Sequence, residues 1–228
     1  MYTSNRTTML NKFHVWFPGG IVIGALATNF MNTLGLGWQL KIAIMIIPTL
    51  IYGFMFFKAI FPKSENIDTD TSNNIKSLFS LLFIFIAVCM TLTATTELGT
   101  QQWLQPLLEK SGANPMLILA MTTGIMAVGR YFAGPIVHKL NPIGVLFMSA
   151  IVSTVAIYFM SIADGTALYG AAILFAFGVC YFWPTMIGFV AEYIPKTGAL
   201  GMSLVGGMGM FATGIWNPII GSWIDTNT

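Results

Sequence analysis

Charge is what this sequence has least of. Only 8% of its 228 residues are charged, ten Lys or Arg and eight Asp or Glu. Soluble domains carry about 25%, so an ordinary water-soluble domain is excluded. A net charge of +2 excludes the broad basic surface that nucleic acid requires. Cysteine and histidine are scarce as well, two of each. Cys89 and Cys180 lie inside apolar runs, where a thiol packs as a small hydrophobe rather than forming a disulfide or a metal pair. His14 and His138 sit at the ends of such runs and read as interface residues rather than a proton relay. Catalytic motifs are missing too. There is no His-Glu-x-x-His, no Gly-x-Ser-x-Gly and no Gly-rich phosphate loop with its Lys, which argues against an enzyme and against an ATP-driven pump. No cofactor and no metal are called for. A cleavable leader is not visible either, since Met1–Lys12 is polar and the run after it lacks a small-residue cleavage site.

What the chain has in abundance is apolar residues, 56% of the total. They fall into long runs: Phe13–Met31, Trp38–Phe61, Leu78–Trp103, Pro115–Val137, Ile143–Ile162, Thr166–Ala191 and Ala199–Trp223. Crossing about 30 Å of hydrocarbon takes roughly 20 apolar residues in a helix. Backbone groups in lipid must bond internally, and a barrel would show short alternating strands instead. The expected fold is therefore an all-α integral membrane bundle of seven spans, in contact with the lipid bilayer. Short loops join them, apart from the polar stretch Lys63–Lys76. With the N-terminus in the cytoplasm, Arg6, Lys12, Lys58, Lys63, Lys76, Arg130, Lys139 and Lys196 fall inside, and only Lys41 and Lys110 fall outside. That asymmetry predicts an inner-membrane protein with its C-terminus outside as the chain stands. Trp38, Trp103 and Trp223 then mark outer ends.

Polar residues within spans are costly, so each is a functional candidate. Thr93, Glu97, Thr100 and Gln101 are spaced i, i+4, i+7 and i+8 and share one face of an ideal helix. Gln102 and Trp103 follow. Amide and carboxylate oxygens accept from sugar hydroxyls, and an aromatic ring stacks on a sugar's apolar face. Glu97 is also a candidate for a coupling proton; the competing reading is a merely wet stripe near the outer interface. Arg130 is the arginine within a span. Snorkelling, a carboxylate partner, capping of helix-end carbonyls at an inner gate and an anionic substrate are all open to it. Tyr181, Trp183 and Pro184 cluster in the sixth run, and Trp216, Asn217 and Pro218 in the seventh. Aromatic-plus-proline sites point either to broken helices lining a cavity or to interhelical packing. Asn29 and Asn32 read as caps at an outer end.

Five segments carry a resemblance. Leu10 to Gly24, with His14, Pro18, Gly19 and Gly20, resembles the fifth helix of major facilitator transporters of the fucose permease-like sugar porter branch. Gly129-Arg130 through Gly134-Pro135 to His138-Lys139-Leu140 is similar to the end of that family's eighth helix and its following loop. Phe182 to Gly188, Ile194 to Gly201 and the Gly-rich run ending at Asp225 resemble its tenth and eleventh helices. In the loop His138 stands where the family carries an acid before the base, so a charge relay through His138 and Lys139 loses support, and they join Arg130 as gate or structural candidates. The resemblance implies a secondary carrier of a small solute, a sugar by this branch, with protons as the coupling ion. It divides the chain into 1–62 (the end of an N-terminal half), 63–77 (the loop between halves) and 78–228 (most of a C-terminal half). Helices one to four and twelve have no counterpart, so a fragment, or a partner chain that completes the carrier, is expected. A seven-helix receptor, a retinal protein and a non-transporting remnant are the alternatives. The charge bias opposes the first, and the lack of a Lys in Ala199–Trp223 opposes the second.

Overall fold

The computed structural model describes residues 5–60, 71–103, 114–163 and 165–227. Among the described residues the elements are all helical. Helix α1 is Arg6–Thr33, α2 Trp38–Lys58, α3 Thr71–Leu78 and α4 Leu81–Trp103. Helix α5 is Pro115–Tyr131, α6 Ala133–Ile162, α7 Ala167–Tyr193 and α8 Gly198–Asn227. Polar side chains start several of them. Asn5 accepts from the Thr8 N–H at 3.0 Å, Ser80 accepts from Phe83, and Asn114 accepts from Met116 and Leu117 ahead of a proline in the first turn. Each satisfies amide groups that the helix itself leaves open.

Prolines decide where the rods bend. A proline has no N–H to give the carbonyl four residues earlier. Helix α1 breaks at His14–Val15 before Pro18, α2 at Ile44–Met45 before Pro48, and α7 at Cys180–Tyr181 before Pro184. Helix α5 gives way to α6 at Phe132, just before Pro135.

Helix α7 is the centre of the bundle. It packs against α1, α4, α5, α6 and α8, and small residues allow the close approach. At Gly178 a Cβ would lie 2.6 Å from the Ser153 backbone nitrogen of α6. One apolar cluster joins Phe83, Ile86 and Met90 of α4 to Met186, Phe189 and Val190 of α7 and Val205 of α8. Another joins Met126 of α5 and Ala156 of α6 to Phe175 and Val179 of α7. By contrast α2 buries none of its residues, and Phe57 is 88% exposed. Such outward apolar faces suit lipid.

The structure moves several expected boundaries. Among the described residues six helices are long and apolar enough to cross a membrane, and Pro115–Tyr131 is a shorter apolar helix. The expected fourth run, Pro115–Val137, ends early as one helix because Pro135 breaks it. The expected loop Lys139–Pro142 shrinks to one residue. Asn141 turns the chain with φ 55°, and its side chain accepts from the Gly144 N–H at 3.0 Å, capping the segment that Pro142 opens. Helix α1 starts at Arg6 rather than Phe13. The latter part of the expected loop Lys63–Lys76 is α3, which packs on the 3-10 turn Pro195–Thr197 and on α8. Residues 61–70 of that loop, and most of the expected loop Leu104–Asn114, lie outside the described residues.

Candidate functional site

The break in α7 supplies the site's first two parts. Pro184 withholds the amide that Cys180 would normally receive, so the Cys180 carbonyl is open within the bundle. The helix restarts at Phe182, and its first amides point the other way, at positions where a negative charge is stabilised. Helix α1 repeats the theme: Pro18 leaves the His14 carbonyl without its usual partner.

Arg130, in the last turn of α5, answers both carbonyls. Its Nε donates to the Cys180 carbonyl at 2.7 Å, and Nη1 donates to the His14 carbonyl at 3.4 Å. Nη2 donates to Glu97 Oε1 at 2.9 Å. Arg130 and Glu97 are each 1% exposed. A guanidinium presents several donors in a fixed fork, and here the fork bridges α1, α4 and α7 from α5.

Glu97 reaches Arg130 from a π segment, Thr95–Gly99, within α4. A π turn inserts extra backbone into the α repeat and is frequent at functional sites. It also ends the common face expected for Thr93, Glu97, Thr100 and Gln101, because the residues beyond it are rotated relative to an unbroken helix. Glu97 is buried rather than wet. Its Oε2 makes no well-formed hydrogen bond, although the Trp183 backbone amide faces the carboxylate. The carboxylate thus has one tied oxygen and one available oxygen.

The other candidates distribute around this pair. Thr93 donates to the Cys89 carbonyl of its own helix at 3.0 Å. Thr100 is half-buried just beyond the π segment. Gln101 approaches the Met126 sulfur at 3.1 Å. Asn217 donates to Gln102 at 2.5 Å, tying α8 to α4. The Trp103 ring lies over Gly221, where a Cβ would come within 2.8 Å. Asn217 Oδ1 and Trp103 Nε1 are buried without partners. Trp183 packs on Gly209, and Tyr181 donates to the Gly129 carbonyl at 3.1 Å. Trp216 meets Trp223 edge to face at 6.2 Å. His138 and Lys139 are exposed near the Asn141 turn and stand apart from the ion pair. Asn29 bonds Asn114 at 3.0 Å, and Lys41 donates to Asn32, both at the end of the bundle opposite Arg6.

Sequence reasoning passes over one cluster. Arg6, Thr7 and Asn11 at the start of α1 lie against Thr185, Gly188, Ala191 and Glu192 of α7. The only signal for it was Asn11, a buried amide just before an apolar run. Among the described residues no group of three or more His, Cys, Asp or Glu could hold a metal ion.

A family model described as Major Facilitator Superfamily matches residues 1–217. Among curated proteins and among solved structures, none matches.

Proposed function

The chain belongs to the major facilitator superfamily, whose members are carriers of small solutes rather than enzymes, and we propose that it moves a sugar, coupled to protons, through a site built around Glu97. The observation that supports this most is the buried Glu97–Arg130 pair at the break of α7. A buried ion pair adds little net stability compared with apolar residues of the same size, so its presence deep among the spans favours a functional role. The available Glu97 oxygen suits a proton, and neutralising the carboxylate would loosen the guanidinium from α4. Gln101, Gln102, Asn217, Trp103 and Trp216 offer the amides and aromatic rings that a hydroxyl-rich solute would use, with Thr93 and Thr100 in α4 and Tyr181 and Trp183 at the break of α7. The sugar porter resemblance of Leu10–Gly24 supports the same class.

The charge asymmetry supports a multi-pass inner-membrane placement with the Arg6 and Lys196 ends of the bundle inside. Further helices, from this carrier or a partner chain, complete the transport path in this reading, because α2 buries nothing against the rest of the described chain.

Uptake by reconstituted vesicles tests the proposal. An imposed proton gradient, acid outside, should drive uptake of a labelled sugar. Glu97→Gln should abolish that gradient-driven uptake, measured per amount of folded protein in the vesicles. Uptake equal to the parent's in Glu97→Gln vesicles would remove Glu97 from coupling. A gradient without effect on any sugar would remove the coupled sugar carrier altogether.

A further inference from the structure

The short helix α3 is two-sided. Asn74 and Leu78, four positions apart, face the bundle. Asn74 lies against Gly198 at the start of α8, and Leu78 packs on the apolar cluster of α4, α7 and α8. Ser72, Ile75, Lys76 and Phe79 follow i, i+3, i+4 and i+7 and share the other face. Phe79 belongs to it because its N–H bonds the Lys76 carbonyl and carries the turn on past Leu78. On that face Ile75 is 45% and Phe79 76% exposed, and Lys76 is exposed between them. The 3-10 turn Pro195–Thr197, which packs on α3, adds Lys196, also exposed. Among the described residues neither lysine forms an ion pair. Glu192, the acid nearest Lys196 in sequence, is taken by the Thr7 N–H at 2.7 Å. Tyr193 stacks on Phe189 at 4.5 Å one turn before Lys196, and a tyrosine at the end of a span marks headgroup depth.

We propose that this corner, α3 with the Pro195–Thr197 turn, docks one anionic phospholipid from the leaflet at the Arg6 end of the bundle. Lys76 and Lys196 meet the headgroup phosphate, while Ile75 and Phe79 lie along the first methylenes of the acyl chains. The charged and apolar parts of the surface choose the occupant together. A soluble anion satisfies the lysines and leaves Ile75 and Phe79 in water. A zwitterionic lipid covers the apolar pair and brings no net charge to the lysines. An anionic lipid satisfies both, and each basic side chain near a membrane surface adds about a fivefold preference for it. An amphipathic helix lying in the interface plane is held by the same two forces. The lipid thereby pins α3 to the membrane surface just before the chain enters α4 at Ser80. This surface shares no residue with the Glu97–Arg130 pair and rests on no assumption about the solute carried.

Native mass spectrometry of the whole chain, released from micelles, counts bound lipids and gives the affinity of the first. Phosphatidylglycerol should bind about tenfold more tightly than phosphatidylcholine with the same acyl chains. Lys76→Gln with Lys196→Gln should weaken phosphatidylglycerol about tenfold and leave phosphatidylcholine within about twofold of the parent. Lys76→Arg with Lys196→Arg, which keeps the charge, should keep the parent's preference. Lys12→Gln with Lys139→Gln removes the same charge at exposed positions elsewhere and should leave the first-lipid affinity unchanged. Ile75→Ser with Phe79→Ser should weaken both lipids, which separates a docked lipid from a bare anion. Phosphatidylglycerol affinity that is unchanged in the Lys76 and Lys196 glutamine variant overturns the proposal. That is the result expected if Glu65, Asp68 and Asp70, outside the described residues, already neutralise these lysines. An equal loss in the Lys12 and Lys139 variant overturns it too, as an effect of overall charge. Full displacement of the lipid by inorganic phosphate overturns it in favour of a soluble anion.

Discussion

Removing the Arg130 guanidinium leaves the Glu97 carboxylate buried with no opposite charge. Breaking one partner of a buried pair costs roughly 3–5 kcal/mol. Arg130→Ala should therefore lower the unfolding midpoint of the protein in detergent severely. The double change Glu97→Gln with Arg130→Gln should lose markedly less, because neither side chain is then charged. If the double variant is as unstable as Arg130→Ala, Glu97 is not the group that Arg130 neutralises. A steric prediction belongs at this scale too. Gly178→Ala places a methyl group against the Ser153 backbone, which cannot move as a flexible side chain can. Overpacking of this kind costs about 1–3 kcal/mol, and a thermal melt reads it. Both charged residues were legible in the sequence as costly groups inside apolar runs. Their partnership was not. They stand 33 positions apart, and helical period says which residues share a face but not which helices become neighbours.

Helices were the most legible objects, because length and hydropathy almost define a membrane span. The prolines were visible as well, but not their consequence. Pro184 matters through the carbonyl it leaves open, and that carbonyl's partner lies on another helix. Pro184→Ala restores an amide to compete for Cys180, so α7 straightens and Arg130 loses an acceptor. Stability should stay within about 1 kcal/mol of the parent, since a proline inside a helix is itself unfavourable, while the initial rate of uptake falls at least about tenfold. A rate equal to the parent's would show that the break has no part in transport. Two elements escaped the sequence for physical reasons. The π segment at Thr95–Gly99 has no compositional signature. Helix α3 is polar, and its turn of chain is held by contact with Pro195–Thr197 and α8; Gly198, with φ 58°, brings the backbone close to Asn74. Nothing local distinguishes such a helix from a polar loop.

At the scale of the molecule, membership in the family and an all-helical membrane bundle followed from composition and the order of motifs. The packing plan did not. That α7 is the hub, touching α1, α4, α5, α6 and α8, is a fact of three dimensions. The sidedness read from Lys and Arg yields its own prediction. A phosphatase reporter fused after Lys76 should be inactive, and a reporter that works only in the cytoplasm should be active there. The opposite pattern would reverse the inferred placement of the whole bundle. The three-way attachment of Arg130 also has an outcome in descent. Pro18 and Pro184 each create a vacancy that the same arginine fills, so none of the three is free to drift alone. Lineages that have replaced this arginine should also have replaced at least one of the two prolines, and a census of sister genes would show the trio being inherited, or discarded, together.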